Sequence, residues 1–381
     1  MQVLAIDIGT GTQDIYLFRS GLSLENGFKL VMPSPTMQIR GEILEATHRR
    51  EDLLLTGVTM GGGPCHWAAE AHVKAGHKIF ATPDAARTFN DDLDWVSREM
   101  GVEIISEDEI VNLMKVRQIE LRDFDLDTIT EAFNVFGVRL DPQAVAVGVF
   151  DHGAAPPDVS DRQFRFDYLE ERIQAENRLT AFAFLSEDIP PIMTRMQAVV
   201  KSGNVLDCPL VLMDNAAASV LGASLDTRVS ALSRAMIVNI GNFHALAFRL
   251  GPTGIEGLFE HHTGLIDQPR LEAMLRSLAN GSLTHAEIFD GHGHGALIRH
   301  PEKLDLDHGD FGVVVTGPRR TMMLCSELRP YFAVPYGDMM LTGCFGLLLS
   351  VADLVDELSE PIRSAMTNIG GDIAPWDISD Y

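Results

Sequence analysis

The chain has 381 residues, 46% of them hydrophobic, and a formal net charge of -24. The length suits two domains and the apolar content a large buried core. A field this negative repels polyanions, so nucleic acid and anionic membrane surfaces are not expected partners, whereas a nucleotide can still be held by local amides and Mg²⁺.

The first residues enter an apolar run with no basic segment ahead of it, so no secretory signal is read. The longest apolar stretch, Met339 to Val355, is interrupted by Thr342, Gly343 and Ser350 and is short for a membrane span. Cys65, Cys208, Cys325 and Cys344 lie far apart. That spacing excludes a cysteine zinc knuckle and a three-cysteine iron–sulfur motif, and it fits a cytoplasmic protein with reduced thiols.

In chain order, Val3 to Phe18 reads as a strand, a turn Gly9-Thr10-Gly11-Thr12, and a returning strand, with Asp7 at the lip of the first. Successive N–H groups in a glycine turn can converge on a phosphate, and a carboxylate beside them can order Mg²⁺. Leu53 to Thr59 reads as a buried strand running through Gly61-Gly62-Gly63-Pro64 into a helix. The run from Thr82 to Met100 is expected to be mostly helical. Ala144 to Phe150 is a buried strand ending in Asp151-His152-Gly153, a loop follows to Arg165, and Phe166 to Phe184 reads as helix. A change of pattern near Gly203 to Pro209 divides the chain into domains 1–207 and 208–381. The second half opens with a strand, Leu210 to Met213, and a small-residue helix, Asn215 to Leu225. Met236 to Leu250 then repeats the opening theme of strand, glycine turn and strand. Phe289 to His300 reads as a Gly/His-rich loop, Gly312 to Thr316 as a strand, and Met340 to Leu358 as a final apolar helix.

The ordered set of motifs resembles the actin-like ATPase superfamily, which includes sugar kinases, chaperones, hexokinases and activators of some radical and corrinoid enzymes. More narrowly, the chain resembles a prokaryotic family labelled as related to pyruvate formate-lyase activation. The resemblance implies an α/β, duplicated two-domain, ribonuclease H-like fold with a central cleft that takes ATP and Mg²⁺. It places the first phosphate motif on Asp7, Gly9, Thr10, Gly11 and Thr12, and the second on Gly241 and Asn242. Asp214 to Ser219 resembles one connecting helix and Thr342 to Gly346 the other. Val314 to Arg319 resembles the adenosine-supporting turn, which implicates Gly317 and Arg319. Ala144 to Gly153 is similar to a strand ending in a His-Gly turn in the xylulose- and glycerol-kinase branch.

The leading expectation is an ATP-dependent phosphotransferase or ATPase acting on a small molecule. In it Asp7 orders Mg²⁺, and Asp214 or Asp151 positions the acceptor hydroxyl or water. Asn239 replaces the usual acid of the second motif, Phe243 crowds its turn, and Pro318 removes an N–H. These departures support an alternative: a catalytically reduced nucleotide- or phosphate-binding protein that assists maturation of a client enzyme. A third alternative is a metal-dependent enzyme using a transition metal such as Zn²⁺ on His261, His262, His292 and His294. On a strand only one of His261 and His262 enters a given site, whereas His292 and His294 can face one way if extended. Cys65 reads as a buried, inert thiol, and Arg162 and Arg165 as loop residues able to meet an anion.

Overall fold

The computed structural model describes residues 1–113, 115–156, 158–203, 206–306, 313–367 and 374–377. The expected strand start at Gly312 and positions 204 and 205 of the expected domain boundary lie outside them.

The first lobe opens with three antiparallel strands, β1 (Gln2–Ile8), β2 (Thr12–Arg19) and β3 (Phe28–Pro33). An inserted segment follows, with a small parallel sheet of its own: β4 (Leu53–Gly57), β5 (Ile79–Ala81), β6 (Glu103–Ile104) and β7 (Arg117–Leu121). The chain then returns through β8 (Ala144–Val149), β9 (Ala183–Leu185) and β10 (Leu210–Asp214), which complete a six-stranded sheet in the order β3-β2-β1-β8-β10-β9. β1, β8 and β10 run parallel. β10 therefore belongs to the first sheet, and the first lobe extends past the division expected at residue 207 to at least Asp214.

The second lobe repeats this plan. β11 (Ala235–Ile240), β12 (His244–Gly251) and β13 (Gly254–His262) are antiparallel, and β14 (Gly295–Ile298) adds an outer edge. β15 (Val314–Thr316) and β16 (Tyr331–Phe332) continue parallel to β11. The order is β14-β13-β12-β11-β15-β16. Strip the extra edges, and both sheets show three antiparallel strands extended by two parallel ones from the first. That shared order is the duplicated ribonuclease H-like plan of actin-like proteins.

Both faces of β1 are buried. Val3 and Ala5 enter the core between the two sheets, whereas Leu4, Ile6 and Ile8 face the outer core of the first lobe. This explains the unbroken apolar run, since parallel strands covered on both sides need no polar alternation. The inter-sheet core is filled by two connecting helices, Asn215–Ser224 and Thr342–Leu354. The first packs on β11, and the second returns to β1 and β8. They cross backbone to backbone: a Cβ added at Gly222 would stand 1.7 Å from the Thr342 carbonyl oxygen, and one at Gly346 2.0 Å from that of Ala218. The small-residue pattern of both segments exists for this crossing.

Several local expectations give way to tertiary packing. Residues 83–100 form short helical pieces, Pro83–Ala86, Leu93–Trp95 and Val96–Met100, rather than one helix. The helix expected from Phe166 to Phe184 runs from Asp161 to Ala175, and Ala183–Leu185 pairs with β10 as an edge strand. The Gly/His-rich segment is not all loop, because Gly295–Ile298 pairs with β13. The final helix breaks at Val355 into Thr342–Leu354 and Asp356–Thr367. Among the described residues, no helix is long and apolar enough to cross a membrane.

Candidate functional site

The two glycine turns close in the same way. Gly9 N–H donates to the Thr12 carbonyl at 2.9 Å, and Gly241 N–H to the His244 carbonyl at 2.9 Å. Asp7 in the first lobe thus corresponds to Asn239 in the second, and Thr12 to His244. Both turns line one cavity of about 370 Å³ between the lobes. They face each other so closely that a Cβ at Gly11 would stand 2.4 Å from the Asn242 side-chain nitrogen. The N–H groups of Thr10, Gly11, Asn242 and Phe243 have no hydrogen-bond partner among the described residues. Both connecting helices begin on the cavity floor, where Asn215, Ala216, Thr342 and Gly343 line it.

Asp7 and Asp14 are cross-strand partners in the β1–β2 register, so two carboxyl groups sit side by side at this floor. Each has a buried oxygen with no hydrogen-bond partner. Burial pushes Asp7 up to about 7, opposed by the Asn215 side chain and reinforced by Asp214. Burial pushes Asp14 up to about 8, reinforced by the neighbouring Asp7. Two carboxyl groups disposed like this demand a proton or a cation. Asp14 could have been found by counting outward from the turn, since it lies as far after Gly11 as Asp7 lies before Thr10.

The other two acids of the sequence reading are engaged in structure. Asp214 is off the cavity lining: it caps the first connecting helix and accepts from Arg165 Nη1 at 2.7 Å. Asp151 lines the cavity, but its two oxygens accept from the N–H groups of Gly153 and Met196 at 2.8 and 2.9 Å. Burial raises its pKa. It therefore shapes the loop that carries His152 rather than offering a free base.

Arg165 is no loop residue awaiting an anion. It is fully buried, and its Nε donates to both oxygens of Glu260 at 3.1 Å. Its guanidinium lies 3.6 Å from the centre of the Phe150 ring, which stacks in turn on His244 at 4.1 Å. Arg162 donates to the carbonyls of Phe289 and Gly293 and so clamps the Gly/His-rich segment.

That clamp contributes to a histidine cluster whose membership differs from the expected one. His152, His244 and His294 each place a ring nitrogen within 4.8 Å of the other two. His262 lies beside them, its ring centre 4.9 Å from that of His294. His261 points into the opposite core, and His292 is exposed at a positive φ of 67° that breaks the alternation expected with His294. Burial lowers the pKa of His152 and His244 well below the ordinary value and that of His294 to about 2, so the rings stay neutral. Three residues far apart in sequence make this cluster, and no local spacing signals it.

The inserted lobe closes the other end of the cavity with Gly61, Gly62, His66, Arg87, Asn90 and Asp91. Arg195 ties it down through Asp123, whose carboxylate also accepts from Gly61 N–H. Cys65 is inert here, its thiol pushed up to about 11 by burial. Gly317 and Pro318 line the cavity beside Met339 and Met340, whereas Arg319 is exposed and off its lining.

Residues 60–322 match the family described as "Putative pyruvate format-lyase activating enzyme (DUF1786)". The chain belongs to this family. No curated protein matches it. Among solved structures it is similar to the activator of the 2-hydroxyisocaproyl-CoA dehydratase from Clostridium difficile, with 11% identity over 98% of this chain and 100% of that one and a TM-score of 0.33. It is also similar to the ethanolamine utilization protein EutJ from Carboxydothermus hydrogenoformans, with 11% identity, coverage of 91% and 89%, and a TM-score of 0.31. A hexokinase of the ROK group from Thermus thermophilus is similar with 12% identity, coverage of 97% and 88%, and a TM-score of 0.24. At these values the likenesses decide nothing about the site; the actin-like architecture is read from the strand order of the two lobes.

Proposed function

We propose that this chain binds a nucleoside triphosphate with a divalent cation between its two glycine turns and moves the terminal phosphoryl group to a small acceptor or to water. The observation that supports this most is the single cavity onto which the Gly9 and Gly241 turns open from opposite lobes. The residues present fit ATP and Mg²⁺. Unpartnered amides at Thr10, Gly11, Asn242 and Phe243 suit phosphate oxygens. The orphaned oxygens of Asp7 and Asp14 suit a hard cation held by carboxylates and water. Pro318, Met339 and Met340 give an apolar lip for a base. When bound, the cation neutralises phosphate charge, and phosphoryl transfer depends mainly on such neutralisation and on positioning.

The protein's own part follows from the geometry. The turns would orient the phosphates, Asp7 and Asp14 would hold the cation and give up the protons that burial keeps on them, and the inserted lobe would offer Arg87, Asn90 and Asp91 to an acceptor. Asp151 positions the loop at the junction, and Asp214 anchors the connecting helix.

A second reading, binding without turnover in the service of a client enzyme, is favoured by the Asn242 side chain lying against Gly11, where it narrows the gap between the turns. The family description speaks of activation, but the chain's cysteines do not fit an iron–sulfur cluster: no cysteine joins a group of metal-ligating side chains among the described residues. Calorimetry with ATP and ADP, with and without Mg²⁺, tests the binding, and release of inorganic phosphate separates the two readings. Mg²⁺-dependent binding with turnover supports transfer, binding without turnover supports the second reading, and absence of nucleotide binding overturns both.

A further inference from the structure

We infer that His152, His244 and His294 form a site for a Zn²⁺-class transition-metal ion that joins the two lobes at the wall of the cleft. Their ring nitrogens lie within 4.8 Å of one another. His152 Nε2 and His294 Nε2 are 3.3 Å apart. Two nitrogens on a tetrahedral ion with Zn–N bonds of 2.0–2.1 Å are separated by about 3.3 Å, so this pair already stands at the spacing of a tetrahedral edge. Nδ1 of His294 makes no hydrogen bond but stands 3.4 Å from Glu260 Oε1, so a carboxylate is at hand to orient the ring when it ligates through Nε2. Glu260 is itself fixed by Arg165. A hydrogen bond between His152 and His294 would use two of the rings but leave Nε2 of His244 buried and unpartnered.

All three donors are imidazole, which selects Zn²⁺, Co²⁺ or Ni²⁺ over Mg²⁺ or Ca²⁺. His152 and His244 line the cavity, so the fourth position falls to water or to a ligand oxygen from the cleft. The ligands come from both lobes: His152 follows β8 in the first, whereas His244 opens β12 and His294 precedes β14 in the second. Bound metal therefore restrains the lobes relative to each other. This site is distinct from the Asp7–Asp14 floor and does not depend on nucleotide binding.

The test uses tag-free full-length protein titrated with Co²⁺, then with Zn²⁺ in competition. The expected result is one equivalent of Co²⁺ with the intense visible bands of a tetrahedral nitrogen site, displaced by Zn²⁺. His152→Gln and His244→Gln should each weaken binding about 100-fold, and His292→Ala should leave it unchanged. Zn²⁺ should raise the Tm of the wild type but not of His152→Gln, since this variant unlinks one lobe. X-ray absorption on the Zn²⁺-loaded wild type gives an answer free of folding effects, with imidazole scattering at about 2.0 Å expected. Failure of folded wild type to take up a stoichiometric ion, an oxygen-only shell, or unchanged affinity in both glutamine variants overturns the assignment.

Discussion

The two turns share a backbone and divide the chemistry. In the first lobe the turn carries hydroxyls and glycine, and two carboxyl groups wait beneath it with unpartnered oxygens. In the second, Asn239 and Leu246 hold the places of Asp7 and Asp14, and Phe243 and His244 those of Gly11 and Thr12, both lining the cavity. A duplicated fold thus keeps its frame because the strands need it, while each copy of the turn is free to specialise. The first presents carboxyl oxygens without partners, and the second presents stacked rings with a ring nitrogen left unpartnered.

The comparison can be broken most directly at Asp7. Asp7→Ala should lower Mg²⁺-nucleotide affinity by about 100-fold, on the order of 3 kcal/mol. Unchanged affinity by calorimetry would strip the first turn of its cation role.

The acidic floor can be sharpened by pH. Both carboxyl groups sit above the ordinary unfolded value of about 3.9. Between that value and their folded values of about 7 and 8, the folded state holds protons that the unfolded chain has released. The contribution of this pair to the stability of the cation-free protein is therefore expected to be fully present below about pH 4 and to be lost as pH rises toward 8. Asp14→Asn should flatten this slope and raise stability at pH 9 by about 1–2 kcal/mol in denaturant melts. Calorimetry in buffers of different ionisation enthalpy should show proton release on Mg²⁺ binding near neutrality. A slope of the opposite sign would remove the paired-acid picture.

On the second turn, Phe243→Ala should widen the cleft and tighten nucleotide binding by about fivefold, on the order of 1 kcal/mol; weaker binding would show that the ring serves the ligand. The smallest effect is optical. Trp67 of the inserted lobe lies 6.1 Å from the Phe243 ring and is half exposed, so its fluorescence should shift when nucleotide occupies the cleft, and the shift should vanish in Phe243→Ala.

The first turn was legible because its chemistry is contiguous: Asp7, two glycines and two threonines fall within six residues. Duplication was legible for the same reason, as each turn sits between its own apolar strands. Asp14 becomes visible only through strand register, which sets it opposite Asp7 across β1 and β2. The histidine cluster needed tertiary structure, because His152 reaches His244 and His294 only across the lobes. Arg165 looked like a solvated loop residue until the helix from Asp161 turned it inward onto Glu260 and Asp214. The inserted sheet was legible only in its first two strands, Leu53–Gly57 and Ile79–Ala81, because Glu103–Ile104 is too short to show a period and Arg117–Leu121 is partly polar.

At Gly222 and Gly346 the connecting helices bear on one another with no side chain between them. Nothing there can be repacked as the molecule flexes, so the contact serves as a fulcrum. Because both helices start at the cavity floor, at Asn215 and Thr342, a roll of the lobes about this contact would be expected to displace the floor least.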